Sequence, residues 1–173
     1  MKVFSFDAET NGLYGKAFAI GAIVTNESGI IDKYIRRITI PGEVDGWVEK
    51  NVLPHLKDIP VESIINYERM IEEFFNFYSK HREDSTIIAH MAHPVETGLL
   101  RDMIEANLEV RLFQGPYPLI DVAGVLLAKG ENPTSVDKYL AKNKLTVTFP
   151  GNSHHPFYDA YAAEVAFRHL MRK

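Results

Sequence analysis

The sequence predicts a single α/β domain built on a mixed five-stranded sheet, an antiparallel N-terminal meander plus parallel strands, flanked by helices. Three observations carry that expectation. Residues 3–40 hold three β-prone runs joined by turns too short for a crossover, which makes the runs antiparallel neighbours. From Val61 the apolar residues change to spacings of three and four, the period of an amphipathic helix. Farther on, short apolar runs alternate with helical ones, as in a sheet fed by helical crossovers.

Taken in order, Val3, Phe4 and Phe6 form a short strand ending at Asp7, and Asn11-Gly12 supplies a turn. Lys16 to Thr25 is nearly continuously apolar and reads as a strand buried on both faces. Asn26-Glu27-Ser28-Gly29 turns the chain again, and Ile31 to Ile40 alternates in part before Pro41-Gly42 closes it. Ile64, Ile65, Met70, Ile71, Phe74, Phe75 and Tyr78 predict a helix over Val61–His81. Thr86 to Ala89 is a short buried strand, and Glu96 to Leu108 returns to helical spacing through Leu99, Leu100, Met103 and Ile104. Pro118 to Ala128 divides into strand then helix. Thr134-Ser135-Val136-Asp137 caps a short helix through Ala141. An irregular loop from Thr148 to Pro156 leads to a last helix over Asp159–Met171, with Ala162, Ala163, Ala166 and Leu170 on one side.

Composition narrows the function. A chain of 173 residues, 46% hydrophobic and 24% charged, is an ordinary globular domain with no repeat or linker. Zero cysteines remove disulfides, thiolate metal sites and cysteine nucleophiles together. No apolar run approaches the ~18 residues that span a bilayer, and the first residues lack the features of a signal peptide. The expectation is a cytoplasmic protein with no membrane partner. A net charge of −4 argues against wrapping a duplex but not against gripping a strand end, and it can include carboxylates gathered for metal ions.

Three features can carry chemistry. Asp7 and Glu9, two apart at a strand end, share one face, and two like charges side by side need a cation or proton to compensate them. His154 lies five residues before Asp159, in a loop ahead of a helical run, where an imidazole can exchange protons near neutrality. Alternatively, Asp159 is an ordinary helix-capping acid. The third feature is His90-Met91-Ala92-His93-Pro94-Val95-Glu96, between a buried strand and a helix. Its His90, His93 and Glu96 invite a zinc reading, although Pro94 disfavours helix at His93. Delivery of a carboxylate to the same sheet end fits better. Four carboxylates and one histidine are what two-metal phosphodiester cleavage requires.

Phe6-Asp7-Ala8-Glu9-Thr10-Asn11-Gly12-Leu13 resembles the first motif of the DEDDh (DnaQ-like) 3′–5′ exonucleases, which include polymerase proofreading subunits, ribonuclease T and oligoribonuclease. His154-His155-Pro156-Phe157-Tyr158-Asp159-Ala160 is similar to their third motif. The second motif departs from the family's His-Asn-Ala-x-Phe-Asp. Aligning Leu99-Leu100 with the apolar pair that follows it puts Glu96 at the acid position, with one extra residue after His90. The other alignment puts Val95 there.

The resemblance implies a ribonuclease H-like fold and hydrolysis of single-stranded nucleic acid 3′ ends to nucleoside 5′-monophosphates. It implies two divalent cations, Mg²⁺ or Mn²⁺, held by Asp7, Glu9, Glu96 and Asp159, with His154 as general base. Thr10, Gly12 and Leu13 are then the substrate-binding residues at the terminal nucleotide. Phe157 and Tyr158 are open to either base stacking or core packing, and Arg101, Lys138, Lys142 and Lys144 are candidate phosphate contacts. DNA or RNA as substrate, and action alone, as a homodimer or with a polymerase, stay open. A catalytically weak or inactive member that acts as a nucleic-acid or protein binding module is the alternative.

Overall fold

The computed structural model describes residues 1–149 and 151–172, so Pro150, within the loop expected over 148–156, lies outside the described residues. The strands are β1 (Val3–Thr10), β2 (Ala17–Asn26), β3 (Gly29–Arg37), β4 (Thr86–Ala89) and β5 (Leu119–Asp121). They form one sheet in the order β3-β2-β1-β4-β5. β1, β2 and β3 are the antiparallel meander, and β4 and β5 run parallel to β1. The helices are α1 (Gly46–Asn51), α2 (Tyr67–His81), α3 (Val95–Glu105), α4 (Leu108–Arg111), α5 (Val122–Ala128), α6 (Val136–Asn143) and α7 (Pro156–Arg172).

Alternation along β1 divides the core. Phe4, Phe6 and Ala8 face α2 and α3, where Phe74 meets Phe6 at a 5.7 Å ring separation and Tyr78 meets Phe4 edge-on at 5.8 Å. Val3 lies on the opposite face among Ala163, Ala166, Phe167 and Leu170 of α7, together with residues of α5 and α6. The sheet is thus sandwiched between helical layers, an α/β architecture. Among the described residues no helix is long and apolar enough to cross a membrane.

Several boundaries differ from expectation for local reasons. β1 does not stop at Asp7: its pairing with β2 continues through Asp7↔Gly21 and Glu9↔Ala19, so both acids sit inside the strand. α2 starts at Tyr67 rather than Val61, because the Asn66 side chain caps it by accepting from the Arg69 N–H at 2.9 Å. The expected first turn is instead drawn toward the sheet by a bridge between Glu62 and Ile38, leaving Ile64 96% exposed. β3 spans Gly29–Arg37 instead of Ile31–Ile40, and α7 begins three residues before Asp159. α1 and the 3₁₀ turn Leu53–Leu56 behind it were not anticipated, although Val48, Val52 and Leu56 are buried at a spacing of four.

Candidate active site

Three elements bring four carboxylates to the end of β1. Asp7 and Glu9 project from β1, Asp159 from the first turn of α7 and Glu96 from the first turn of α3. The close approach of α7 depends on Gly21, the β2 partner of Asp7. A Cβ there would lie 2.3 Å from the Phe157 nitrogen and 2.4 Å from the Pro156 carbonyl carbon. Carboxylate oxygens of Asp7, Glu9 and Asp159 lie within 4.8 Å of one another. Glu96, 3% exposed, accepts the Ala8 backbone N–H at 3.2 Å. That N–H lies beyond the last β1–β4 pair, Ser5↔Ile88, so the glutamate takes over where β4 has ended.

The acids share one electrostatic problem. Burial, then the charges of Glu96, Asp159 and Glu9, holds Asp7 well above the usual carboxylate range. Burial foremost, then Asp159 and Glu96, pushes Glu9 up to about 8. Glu96 also rises to about 8 through burial, against the lowering effect of backbone N–H groups including that of Ala8. Burial, with the nearby Asp137 charge, takes Asp159 to about 7, opposed by hydrogen bonds from the His154 and His155 backbone. Among the described residues no lysine or arginine pairs with any of the four. An all-oxygen cluster lacking a protein counter-ion fits hard divalent cations, Mg²⁺ or Mn²⁺.

His154 borders this cleft with a left-handed backbone (φ 68°), and its N–H donates to Asp159 Oδ2 at 2.8 Å. Its imidazole meets Trp47 edge-to-face at 5.4 Å and lies 6.2 Å from the His55 ring. Burial, aided by His55, lowers its pKa. His155 instead is buried, pairs with Asp58 at 3.2 Å and accepts the Tyr158 N–H at 3.3 Å. Phe157 packs on Phe149 at 4.8 Å and is 3% exposed, and the Tyr158 hydroxyl donates to Asp137 at 3.3 Å. Core packing therefore claims Phe157, and Tyr158 is tied to α6.

Asp137 is a site residue that the sequence reading missed. It lines the acid cleft and accepts the Ser153 hydroxyl at 2.5 Å, so it holds both sides of the loop carrying His154. In the sequence it looks like any acid in a helix's first turn. The zinc set does not assemble: His90 donates to the Pro133 carbonyl at 2.8 Å, and His93 faces the Thr97 hydroxyl at 3.4 Å. Asp121 folds that loop by accepting the Met91 and Ala92 N–H groups, each at 3.0 Å.

Thr10, Gly12 and Leu13 line an adjoining chamber of about 440 Å³, which also reaches Glu9 and His154. Val95, the alternative second-motif position, is an apolar wall of both spaces. Arg101 lines a neighbouring groove and Lys138 is exposed. Lys142 is paired with Glu131 at 2.7 Å, and Lys144 is the left-handed residue that ends α6.

No protein-family model matches the chain, and no curated protein matches it in sequence. Solved structures do. Exonuclease X in complex with 5′-overhanging duplex DNA is 19% identical with a TM-score of 0.58, covering 98% of this chain and 91% of that one. A 3′-exonuclease that recognises the 3′ end of a histone mRNA stem-loop is 11% identical with a TM-score of 0.66, covering 99% and 82%. Exonuclease I, in a structure with SSB and an inhibitor, is 11% identical with a TM-score of 0.64, and this chain spans 41% of it. At these identities the likeness establishes the fold, which is the ribonuclease H-like one.

Proposed function

We propose that the chain is a 3′–5′ exonuclease that shortens single-stranded nucleic acid ends and releases nucleoside 5′-monophosphates. One observation carries the reading: four acids from three elements, Glu9 and Glu96 buried and Asp7 and Asp159 half-buried, converge on one cleft without a protein counter-ion among the described residues, with an imidazole at its rim. The fold supports it, since the similar structures are exonucleases, one on DNA and another on RNA.

In this reading Asp7, Glu9, Glu96 and Asp159 would hold two divalent cations, Mg²⁺ or Mn²⁺. Glu9 and Asp159 would serve the side of the attacking water, and Glu96 keeps one oxygen on the Ala8 N–H with its other oxygen available as a ligand. When bound, such ions supply Lewis acidity and neutralise the charge that builds on the phosphate. The chain's own groups do the remainder. His154, whose pKa burial lowers, takes the proton of the attacking water as general base. Asp159 holds the His154 backbone, and Asp137 holds Ser153 and Tyr158 on either side of it. Thr10, Gly12 and Leu13 receive the terminal nucleoside.

The test is hydrolysis of 3′- and 5′-labelled single-stranded DNA and RNA with Mg²⁺ or Mn²⁺, against EDTA and Asp7→Ala. Stepwise metal-dependent shortening from the 3′ end, lost in Asp7→Ala, is the expected result, and the faster strand names the substrate. Tight binding without hydrolysis under either metal would replace the enzyme with a binding module.

A further inference from the structure

Five large apolar side chains reach solvent within the ten positions 108–117. Leu108, Val110 and Leu112 are half exposed or more, and Phe113 and Tyr117 are 83% and 79% exposed. Apolar surface gathered in this way marks a site of association. The stretch is also held in place. The Arg111 guanidinium is buried, donates to the Met103 carbonyl at 3.0 Å and to Glu72 at 2.6 Å, and lies 3.7 Å from the Phe75 ring centre. Gln114 is fixed from two sides. Its carbonyl accepts from Arg82 at 3.2 Å, and its side chain donates to the Val110 carbonyl at 2.9 Å. Phe113 stands between these anchors, so its ring is presented on a fixed frame.

Beside this knob lies a hole. Leu100 and Ile104 of α3, Leu108 of α4, and Pro116, Tyr117 and Leu119 line an apolar groove of about 410 Å³. Phe113 lies just across the wall that Pro116 and Tyr117 make, because those two residues also line a second hollow, which Phe113 borders. A face that carries both a projecting ring and a hole for one can pair with a copy of itself about a two-fold axis.

Charge and area agree with a second copy. Arg101 and Glu105, exposed and one helical turn apart on α3, line the same groove. Within the chain Arg101 reaches Asp102 at 3.5 Å, yet its side chain stays 68% exposed. With two copies of α3 antiparallel across the axis, Arg101 of each meets Glu105 of the other. The five apolar side chains offer on the order of 600 Å² per copy, at about 200 Å² for each when fully exposed. The polar residues around them bring this toward the roughly 800 Å² per partner of a stable interface.

We propose that the chain forms a closed homodimer through this face, with Phe113 of each copy seated in the apolar groove of the other and Arg101 paired with Glu105 across the two-fold axis. The interface takes the later turns of α3, whereas Glu96 stands in the first turn, so each copy keeps an open acid cleft.

Sedimentation of the whole chain from low to high micromolar concentration should reach a mass of two chains and level off there. Phe113→Glu should sediment as one chain, with a wild-type far-UV spectrum showing an intact fold; if it does not fold, the charge variants decide. Arg101→Glu and Glu105→Arg each set like charges face to face twice, and each alone should weaken pairing about tenfold or more. Mixed in equal amounts the two are complementary, and they should pair with each other at close to wild-type strength. Wild type that stays one chain at every concentration overturns the proposal, as does a mass that keeps rising past two chains. A dimer undisturbed by Phe113→Glu, or a mixture of charge variants that pairs no better than either alone, overturns it too. None of these measurements uses hydrolysis, so the dimer and the exonuclease reading stand or fall separately.

Discussion

At the scale of single residues, His154 and Glu96 have separable jobs. His154 touches Asp159 only through its backbone N–H, so truncating the imidazole leaves that bond in place. His154→Ala is therefore expected to lower kcat by roughly 10²–10⁴, the usual worth of a general base, while single-strand affinity in non-catalytic Ca²⁺ stays near wild type. Equal losses in both would show that the imidazole binds substrate rather than moving a proton. Glu96 is different because its carboxylate closes a backbone hydrogen bond inside the protein. Shortening it by one methylene withdraws the acceptor and leaves the buried Ala8 N–H unpaired, which costs about 1–3 kcal/mol. Glu96→Asp should thus melt a few degrees below wild type despite restoring the more usual acid. Glu96→Gln keeps an acceptor for Ala8 and removes one of four crowded charges, so it should melt at or above wild type without metal. Calorimetric titration with Mn²⁺ should then find one ion fewer in Glu96→Gln; an unchanged stoichiometry would mean that Glu96 only pins β1.

At the scale of elements, the cleft exists because α7 can lie almost on the sheet. Gly21 provides the room, since the atoms a Cβ would strike belong to the backbone at Pro156 and Phe157 and cannot swing aside. Ala160, Ala162, Ala163 and Ala166 keep the rest of the helix close. Gly21→Ala is expected to destabilise the fold by about 2–3 kcal/mol, the cost of overpacking a tight contact, and to reduce activity more than stability, because it displaces Asp159 from Asp7. Thermal melting beside metal-dependent hydrolysis measures both; full activity in a stable Gly21→Ala protein would break the link between helix approach and site. Much of this architecture was legible beforehand. The run Thr86–Ala89 matched β4 to the residue, and the helical pair Leu99-Leu100 placed Glu96 on the acid cleft. What escaped notice has physical reasons. α1 has one buried residue, Val48, too few for a helical period to emerge, yet it supplies Trp47. Asp137 gains its role only from Ser153 and Tyr158, contacts made across the fold. The start of α2 was set by a side-chain cap and a bridge to Ile38 that override its apolar spacing.

At the scale of the whole molecule, the four crowded acids are a standing cost that a bound cation would remove. Each of the four acids holds its proton more tightly in the folded protein than in the unfolded chain, where carboxylates titrate near 4. Between that value and about 8, where Glu9 and Glu96 titrate, the folded state therefore carries more protons than the unfolded one. Stability with fewer protons bound in the unfolded state must fall as pH rises, so this contribution is fully present below about pH 4 and is lost through the folded pKa values. Metal-free protein should accordingly melt at progressively lower temperature as pH climbs from about 5 to about 8. Mg²⁺ held by these acids, as proposed, would compete with those same protons, so the increase in melting temperature that it gives should be small at the acid end and largest at the alkaline end. Asp7→Asn tests the assignment. Replacing the acid that feels all three others should raise the metal-free melting temperature, flatten its pH dependence and abolish most of the Mg²⁺ increment, along with hydrolysis. A pH-independent Mg²⁺ effect, or one untouched by Asp7→Asn, would place the cation elsewhere on a surface whose net charge is already −4.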